Sequence, residues 1–388
     1  MSALTVLTNA LVVTPLGALD GSVAIEGGRI VDVAARRYAD GLDLHGALLM
    51  PGIIDVHTDY LEKEISPRPG AEVPLEMALH VMDLRALTCG LTTVLSGARV
   101  SPERSGSAGS WHGDGLRLAR ELHRLAGSMR ARHLVHVRWD TRYEPVTADL
   151  ANLLSLEGIG NVVFNDSLPG VRQFRDLDAV IRKEALAHDL TFETSRARIE
   201  AKIVARKRVD NRRETAAALR GRLPLGSHDD TTVEHVAEAH AFGATLCEMP
   251  VTLAAARKAK ALGMQVCMGA PNYVRGGSHC GNLSAAQAFA EDLVDMLCSD
   301  YHFPSLLAAA VQLIAGGMPP QKVAALLALN PARHLGRAGE FGSIECGKRA
   351  DLVAFHPRNG YADVTQTWVD GERCLAVNDR TAVPALTR

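Results

Sequence analysis

Residues 49–59 read Leu-Met-Pro-Gly-Ile-Ile-Asp-Val-His-Thr-Asp, an apolar run that ends in an imidazole and a carboxylate. Its β-branched residues predict a buried strand over Leu48–Asp55. His57 and Asp59 are two positions apart, so on an extended chain their side chains lie on the same side and can reach one ion. Taken alone, the pair is equally compatible with a strand-end histidine followed by the N-cap aspartate of a helix.

Seven further short apolar runs follow, and stretches with apolar residues at helical spacing separate most of them. The runs are Thr92–Ser96, Leu134–Val137, Val162–Asn165, Leu223–Ser227, Ala244–Glu248, Gln265–Gly269 and Leu293–Ser299. The helical stretches are Leu116–Leu125, Val233–Phe242, Leu253–Leu262 and Ser284–Met296. Strands that alternate with helices imply parallel strands joined by crossovers, and eight such units predict an α/β fold of the (β/α)8 TIM barrel type. The charged stretch Asp176–Arg222 predicts a helical insertion after the fourth strand, or else one long solvated outer helix with a loop.

Both ends of the chain have a sequence pattern that differs from that of the middle. Short runs of β-branched residues, which predict strands, are separated by residues typical of turns. These strands are predicted at Leu4–Val13, Gly21–Ile25, Arg29–Val33, Leu352–Phe355 and Gln366–Val369. Because the termini of compact domains often lie close together, they predict one small β-sandwich domain built from residues 1–47 and 345–388. Residues 48–344 then form the barrel.

Composition argues against several classes of protein. The 388 residues are 47% hydrophobic and 22% charged, with a net charge of −2, so neither a disordered chain nor a nucleic-acid-binding protein is expected. No apolar run approaches the ~20 residues of a membrane span, and the N-terminus lacks a signal-peptide pattern. The seven cysteines are scattered without a CxxC pair, which is typical of a reduced, cytoplasmic protein. The low-complexity stretch Ser105–Ser110 predicts a mobile loop over a site or a plain linker.

Nearly every predicted barrel strand ends in a histidine, an aspartate or a glutamate. A barrel of this type carries its active site at the carboxyl ends of its strands, so these groups meet on one rim. Clustered carboxylates repel one another and lose hydration, and a divalent cation removes that repulsion. The predicted metal ligands, of which four or more bind one or two ions, are His57, Asp59, Asp166, His228, Glu248 and Asp300. Mixed nitrogen and oxygen ligands suit zinc, manganese or iron.

Basic residues follow the same strand ends and predict a polyanionic substrate, although any single arginine there is as easily explained as a solvated surface charge. The predicted substrate-binding residues are Lys63, Arg68, Arg138, Arg142, Arg172, Arg275, Gly276, Gly277 and His279. Guanidinium groups and glycine N–H groups are phosphate ligands, and loops late in such barrels are common phosphate sites. Trp139 and Tyr143 either line a sugar pocket or pack within their loop. No GxxxxGK[ST] motif occurs, which argues against a P-loop ATPase.

Several of these stretches resemble the amidohydrolase superfamily, namely residues 49–57, the run Gly347-Lys-Arg-Ala-Asp-Leu-Val353 and the β-rich ends. More narrowly, the chain is similar to the α-D-ribose 1-methylphosphonate 5-triphosphate diphosphatases of the carbon–phosphorus lyase pathway. The matching runs are His57-Thr-Asp-Tyr-Leu-Glu-Lys63, Ser227-His-Asp-Asp230 and Met268-Gly-Ala-Pro-Asn-Tyr-Val-Arg-Gly-Gly-Ser-His279. The resemblance covers almost the whole chain. It implies a metal-dependent phosphoanhydride hydrolase acting on a phosphorylated sugar, with Asp300 as general base and His228 as a further catalytic residue.

The chain also departs from the family pattern. Asp59 and Glu248 stand where most of the superfamily has histidine, and Ser167 stands where the diphosphatases lead us to expect histidine. A C–N bond hydrolase, either a cyclic amidase or a deaminase, is therefore the alternative on the same scaffold. A third hypothesis is a metal-free, non-catalytic relative. We expect a small-molecule substrate, no nucleic-acid or membrane partner, and a homo-oligomer.

Overall fold

The computed structural model describes residues 4–68, 70–100, 115–142, 144, 146–166, 168–172, 176–278 and 281–377. In chain order the strands are β1 (Thr5–Thr14), β2 (Gly17–Glu26), β3 (Arg29–Ala34), β4 (Leu42–Pro51), β5 (Ile53–Thr58), β6 (Leu91–Val100), β7 (Arg132–Asp140), β8 (Ile159–Asn165), β9 (Leu225–His228), β10 (Leu246–Glu248), β11 (Gln265–Gly269), β12 (Met296–Cys298), β13 (Leu352–Arg358), β14 (Tyr361–Val369) and β15 (Glu372–Ala376).

The helices, again in chain order, are α1 (Tyr60–Ile65), α2 (Leu75–Thr88), α3 (Gly115–Leu125), α4 (Val146–Leu154), α5 (Leu177–His188), α6 (Phe192–Arg206), α7 (Arg212–Leu219), α8 (Val233–Ala241), α9 (Leu253–Ala261), α10 (Ala270–Arg275), α11 (Ala285–Ala290), α12 (Pro304–Ala315), α13 (Pro320–Ala324) and α14 (Asn330–His334). Short 3₁₀ and π turns occupy Ala126–Ser128 and Ala325–Leu329. Within the described residues, no helix is both long enough and apolar enough to cross a membrane.

Seven strands from both ends of the chain form one sheet, in the order β15-β14-β13-β4-β1-β2-β3. β4 pairs in parallel with β1 and antiparallel with β13, and the second pairing sets Leu352 beside Pro51. Alternate side chains of this sheet fill a core that includes Leu7, Leu49 and Trp368. The prediction that both termini contribute to one small β domain is therefore confirmed.

The apolar run at the start of the barrel belongs to two strands, so the prediction of one strand over Leu48–Asp55 is wrong. β4 ends at Pro51 and β5 begins at Ile53. Between them Gly52 lies against Thr92, and a Cβ atom on residue 52 would overlap that side chain. Glycine therefore allows the chain to leave one sheet and enter the other within a single residue.

The remaining eight strands are parallel and follow one another in the order β12-β11-β10-β9-β8-β7-β6-β5, with helices between successive strands. This is the predicted (β/α)8 barrel, and each of the eight predicted runs contains part of one barrel strand. The first and last strands meet in a parallel bridge between Thr58 and Asp300. This bridge brings the two edge strands together and sets the polar residues that end them side by side.

Most of the predicted helices are present, with one correction. The stretches predicted from Leu116, Val233 and Leu253 correspond to α3, α8 and α9. The prediction for Ser284–Met296 is wrong beyond Ala290, where α11 ends. The chain turns there because Asp292 has a φ of +54°, a left-handed conformation that ends a helix.

The charged stretch Asp176–Arg222 contains three helices, α5, α6 and α7, between β8 and β9. The first two begin at caps that the sequence supplies. Asp176 Oδ1 accepts a hydrogen bond from Ala179 N at 3.0 Å, and Thr191 Oγ1 accepts one from Thr194 N at 3.2 Å. The predicted helical insertion is confirmed, and the alternative of one long outer helix is wrong.

The chain packs as two compact units. The first comprises Met1–Leu95, Leu125–His133 and Met296–Arg388, and the second comprises Ser96–Arg124 and Leu134–Asp295. β5, β12 and the terminal sheet belong to the first unit, whereas β8 to β11 and the helical insertion belong to the second. The predicted domain boundaries, after residues 47 and 344, stay predictions.

Candidate metal centre

His57, Asp59 and Asp300 form a cluster of potential ligands in the first unit, here named the first cluster. His57 lies in β5, Asp59 directly precedes α1, and Asp300 follows β12. One nitrogen or oxygen atom from each residue lies within 4.8 Å of the other two, and His57 Nε2 is 3.7 Å from Asp59 Oδ1. His57 is buried, and both aspartates are half-buried. The structure thus brings together three of the six predicted ligands.

Backbone hydrogen bonds hold the first cluster in register. Asp300 N donates to His57 O at 3.1 Å, and Asp59 N donates to Asp300 O at 2.5 Å. Thr58 Oγ1 donates to the same carbonyl oxygen at 3.1 Å. Asp300 itself has a φ of +56°, which is uncommon for a residue other than glycine and is concentrated at functional sites. The backbone is therefore strained where it places the Asp300 carboxylate.

Asp55 lies behind the first cluster, and the sequence analysis gave it no role. Its Oδ1 atom accepts hydrogen bonds from Ser299 N at 2.9 Å and from His57 N at 3.4 Å. Complete burial raises the pKa of Asp55 to about 7, although the hydrogen bonds from Ser299 oppose that shift. Its Oδ2 atom has no hydrogen-bond partner among the described residues. Asp55 thus ties β5 to the residue after β12 and leaves one buried carboxylate oxygen beneath the cluster.

His228, Glu248 and His136 form a second cluster, in the second unit. His228 ends β9, Glu248 ends β10, and His136 lies within β7. Glu248 Oε2 is 2.7 Å from His228 Nδ1 and 3.4 Å from His136 Nε2. Glu248 and His136 are fully buried, and His228 is 4% exposed. Two more predicted ligands, His228 and Glu248, are therefore adjacent. The same Glu248 oxygen also lies near His136, a histidine that was not predicted.

His228 lies between two carboxylates, because its Nε2 atom is also 3.1 Å from Asp229 Oδ2. Burial opposes a charged imidazole, but the charges and hydrogen bonds of Asp229 and Glu248 outweigh it and raise the pKa of His228 to about 10. A proton and a metal ion therefore compete for this imidazole. The carboxylates that hold the proton are the same groups that would attract a cation.

Residues with a left-handed backbone conformation adjoin the second cluster, as Asp300 does in the first. Asp229, directly after β9, has a φ of +57°, and Met249, directly after β10, has a φ of +50°. Each amide is engaged by the next strand: Asp229 N donates to Glu248 O at 3.0 Å, and Met249 N donates to Cys267 O at 2.8 Å. Left-handed turns at successive strand ends are expected where the chain must aim polar side chains at one place.

Sequence analysis missed His136 because apolar residues surround it in the run Leu134–Val137. The available signal was a single histidine inside a buried strand, which by itself is more often a structural residue than a ligand. The pairing of β7 with β8 sets His136 opposite Asn161, and His136 Nδ1 is 2.8 Å from Asn161 Oδ1.

Asp166, another predicted ligand, forms an ion pair with one of the predicted substrate-binding arginines. Arg142 Nη2 is 2.7 Å from Asp166 Oδ2, and Arg142 Nε is 3.2 Å from both carboxylate oxygens. Burial opposes ionisation of Asp166, but Arg142 outweighs it and lowers the pKa of the carboxyl group. Arg142 Nη1 also donates to Val209 O at 2.9 Å. The side chain of Arg142 therefore contacts the Asp166 carboxylate and a backbone carbonyl of the helical insertion.

Arg172 is likewise paired inside the protein. It is 5% exposed, and its Nη1 atom donates to Asp230 Oδ1 at 2.6 Å and to His228 O at 2.8 Å. Asp230 Oδ2 in turn accepts hydrogen bonds from Ser227 Oγ and Cys247 Sγ. This network fixes the carbonyl group of His228 and the turn that follows β9.

The other predicted substrate-binding residues are more exposed. Lys63 and Arg68 are exposed in the first unit, and Lys63 Nζ donates to Tyr301 O at 3.1 Å. Arg275 ends α10, is exposed, and donates to Gly277 O at 2.8 Å around Gly276, whose φ is +82°.

Several remaining predictions are resolved only in part. Arg138 is half-buried in β7. Trp139 is fully buried and donates from Nε1 to Asn211 Oδ1 at 3.1 Å, so packing describes it and a sugar pocket does not. The predictions for Ser105–Ser110, Tyr143, Ser167 and His279 lie outside the described residues.

The donor sets fit a divalent cation. Each cluster combines imidazole nitrogen with carboxylate oxygen, the ligands that zinc, manganese and iron share. Ligand atoms bound about 2.1 Å from one ion lie roughly 3–3.5 Å apart, and the 3.7 Å between His57 Nε2 and Asp59 Oδ1 is close to that separation. The buried Oδ2 atom of Asp55 has no hydrogen-bond partner in the described part of the chain, and a nearby cation would favour the ionised form of this carboxyl group, whose pKa burial raises to about 7.

Comparison with known proteins supplies the family. The amidohydrolase family matches residues 226–374. The α-D-ribose 1-methylphosphonate 5-triphosphate diphosphatase of Escherichia coli (strain K12) is 33% identical over 377 residues, covering 95% of this chain and 99% of that protein.

Solved structures agree on the fold. A Xaa-Pro dipeptidase with bound methionine is 15% identical with a TM-score of 0.63, covering 96% of this chain and 99% of that one. A β-aspartyl dipeptidase from Fervidobacterium islandicum AW-1 is 14% identical with a TM-score of 0.62, covering 97% of each chain. At these identities the likeness shows the fold alone. The resemblance seen in the sequence is confirmed, and the chain belongs to the amidohydrolase family.

Proposed function

We propose that this protein is a metal-dependent hydrolase that cleaves α-D-ribose 1-methylphosphonate 5-triphosphate into pyrophosphate and α-D-ribose 1-methylphosphonate 5-phosphate. The observation that carries the proposal is the 33% identity to the diphosphatase, which extends over 95% of this chain. A match that covers nearly the whole of both proteins supports a shared reaction more strongly than a match to one segment would. The two ligand clusters support the same reaction class.

Each cluster supplies metal ligands in this proposal. The proposed ligands are His57, Asp59 and Asp300 from the first cluster and His228 and Glu248 from the second. Zinc, manganese or iron, as one or two ions, would lower the pKa of a coordinated water toward neutrality and so supply the nucleophile. Asp166 completes the proposed set, and its carboxylate must first be released in part from Arg142, which now contacts both of its oxygens.

Asp300 and His228 are the proposed catalytic residues. Asp300 accepts the proton of the attacking water, and its strained backbone and the amide of Asp59 hold its position. His228 is oriented at both ring nitrogens, by Glu248 and by Asp229. When a metal takes one ring nitrogen, a carboxylate can still hold the other, so the ring would be oriented before substrate binds.

The triphosphate is bound, in the proposal, by cations and N–H groups of the rim loops. Direct contacts come from Lys63, Arg68, Arg138, Arg275, Gly276, Gly277 and His279. Arg142 and Arg172 contribute less free charge, because each is already paired with a carboxylate. They act mainly by holding Asp166 and the turn after β9, and through those contacts they order the substrate loops.

The proposal also includes a cellular location and an oligomeric state. A triphosphate ester carries several negative charges and does not cross a hydrocarbon layer unaided, which supports a cytoplasmic location. A homo-oligomer stays a prediction, and sedimentation of the purified protein measures it.

A substrate comparison tests the function. Protein loaded in turn with Zn²⁺, Mn²⁺ and Fe²⁺ is given the ribose triphosphate and, separately, a dihydropyrimidine ring as a cyclic amide. We expect pyrophosphate release with a kcat/KM at least about 10³-fold above that of ring opening, because the rim cations stabilise only the polyanion. Faster ring opening than pyrophosphate release with every metal would establish the C–N hydrolase instead.

A further inference from the structure

Lys63 differs from Arg142 and Arg172 in what holds its side chain. It lies in the last turn of α1 and is exposed, yet its Nζ atom donates to Tyr301 O at 3.1 Å. The same atom is 4.7 Å from the centre of the Tyr301 ring. The two arginines are instead paired with carboxylates. No carboxylate in the described part of the chain forms an ion pair with Lys63, so its charge stays available to an anion.

Two contacts hold the start of α1 against the segment 300–303, which follows β12. Asp59 N, directly before the helix, donates to Asp300 O at 2.5 Å. The ring of Tyr60 stacks on the ring of Phe303, with centroids 4.3 Å apart and planes 12° from parallel. Helix and segment both belong to the first unit. The helix is therefore fixed relative to this segment, and the lysine in its last turn lies over it.

The contacts of Tyr301 reduce the freedom of the Lys63 ammonium group. A lysine side chain is a flexible stem, and binding an anion with it costs the entropy of ordering that stem. An aromatic face attracts an ammonium ion, and at exposed sites this changes an equilibrium by about 2–5-fold. The carbonyl group uses one N–H donor of the ammonium group and leaves the others for phosphate oxygens. The lysine is thus ordered before an anion binds, which favours binding.

The position of Tyr301 in the chain places this charge near the proposed general base. Tyr301 directly follows Asp300, and consecutive Cα atoms are about 3.8 Å apart. An ammonium group held on the Tyr301 carbonyl therefore lies within about 10 Å of the Asp300 backbone. A phosphate chain whose scissile bond lies beside Asp300 extends over such a distance, so one of its phosphate groups comes within reach of this cation.

We propose that Tyr301 is a positioning residue for substrate binding, because its ring and carbonyl group hold the Lys63 ammonium where the triphosphate binds. The inference rests on the proposed function and adds a residue to its substrate site. Tyr301 touches neither the scissile bond nor the attacking water in this arrangement. Its effect on the reaction passes through Lys63, and this dependence is what an experiment can measure.

A double-mutant cycle on the complete, metal-loaded protein tests that dependence. The variants are Tyr301→Ala, Lys63→Ala and the double substitution, and kcat/KM is measured for pyrophosphate release from the ribose triphosphate. We expect losses of about 3–5-fold for Tyr301→Ala and about tenfold for Lys63→Ala. The double variant should lose no more than Lys63→Ala alone, because the ring has then no cation to hold. Losses that multiply in the double variant would overturn the inference.

Two further variants separate the ring from other causes. Tyr301→Phe keeps the ring and the main-chain carbonyl group, so we expect wild-type kinetics. A loss equal to that of Tyr301→Ala would assign the effect to the hydroxyl group and overturn the inference. Tyr38→Ala is the matched control, because Tyr38 is also half-buried and its ring centre is 4.6 Å from the Arg36 guanidinium. A loss of activity in this control equal to that of Tyr301→Ala would likewise overturn it.

Nuclear magnetic resonance tests the contact without turnover. Lysine side chains are labelled with ¹³C by reductive methylation, which keeps their positive charge, and the Lys63 signal is the one that Lys63→Arg removes. Groups above an aromatic face are shifted upfield, so we expect an upfield Lys63 signal in wild type and Tyr301→Phe but not in Tyr301→Ala. Its absence from folded wild type would overturn the inference alone. Wild type that shows the shift but releases no pyrophosphate with any metal would overturn the proposed function, and with it the substrate role of this contact.

Discussion

Asp83 and Glu248 are both fully buried carboxylates that contact histidine, yet their surroundings differ. Asp83, on α2, accepts two backbone N–H groups in addition to His133 Nε2. Glu248, at the end of β10, contacts the rings of His136 and His228. Burial weakens ionisation of Asp83, but His133 and the amide donors outweigh it and lower its pKa.

The difference separates residues that hold the fold from residues that bind a ligand. Backbone amides cannot exchange their acceptor without local unfolding, so a carboxylate held by them contributes to stability. Imidazoles can exchange a proton for a metal at little structural cost. Both sites would look alike from burial and charge alone, and the nature of the donors distinguishes them.

The largest expected effect is the loss of the proton acceptor. Asp300→Asn keeps the size of the side chain and removes its basicity. We expect kcat for pyrophosphate release to fall by about 10³-fold, because general base catalysis contributes 10²–10⁴-fold. Steady-state kinetics measures this, and thermal unfolding of the same variant should differ little from wild type. A fall in the unfolding temperature large enough to explain the lost activity would place Asp300 with Asp83, among the residues that hold the fold.

A paired substitution tests the comparison itself. Glu248→Gln should weaken metal binding by about 100-fold; it also removes a carboxylate that holds the charged His228 ring in the metal-free protein, so metal affinity and not stability is its readout. Asp83→Asn should leave metal affinity unchanged and lower the free energy of unfolding by about 2–3 kcal/mol, because it places an amide against buried donors. Metal titration and urea unfolding of both variants measure the two effects. Unchanged metal affinity in Glu248→Gln, together with weakened metal affinity in Asp83→Asn, would refute the distinction between a ligand-binding and a structural carboxylate.

Arg275→Ala should affect the triphosphate selectively. The guanidinium is exposed, so its contribution is screened, and we expect kcat/KM for the triphosphate to fall by about tenfold with no change for a neutral cyclic amide. Arg257→Ala is the matched control, because Arg257 is an exposed arginine of α9 that was not predicted to bind substrate and pairs with Glu291. Equal losses on both substrates, or an equal loss in the control, would remove Arg275 from the substrate site.

The smallest effect concerns acid stability. The folded pKa of Asp83 is lowered, so its contribution is complete above the unfolded pKa of about 3.9 and is lost as the pH falls through the folded value. The difference in unfolding free energy between wild type and Asp83→Asn should therefore be constant from pH 7 to 5. It should shrink by at most about 1.4 kcal/mol per pH unit below pH 4. A difference that grows with acidity would contradict the assigned direction.

Much of this fold is predictable because local patterns determine it. Short apolar runs that alternate with helices predicted all eight barrel strands, and turn signals helped to predict five of the seven strands of the terminal sheet, all except β4 and β15. The break at Gly52 was not predictable, because it depends on the close approach of Thr92 from a distant part of the chain. The run on both sides of Gly52 is uniformly apolar, so periodicity gives no boundary there.

The candidate site was predictable to a smaller extent. Strand-end position identified His57, Asp59 and Asp300, which the structure brings together. Strand-end position could not identify His136, which lies inside an apolar strand. The pairing of Arg142 with Asp166 joins side chains 24 positions apart, and a sequence shows charge without showing which charges meet.

Metal dependence of pyrophosphate release tests the central claim most directly. Protein dialysed against a chelator is assayed with the ribose triphosphate before and after addition of Zn²⁺, Mn²⁺ or Fe²⁺, and the products are followed by ³¹P nuclear magnetic resonance. The account predicts no pyrophosphate from the metal-free protein and full recovery at one or two equivalents of metal. Undiminished pyrophosphate release by protein shown to be metal-free would contradict it.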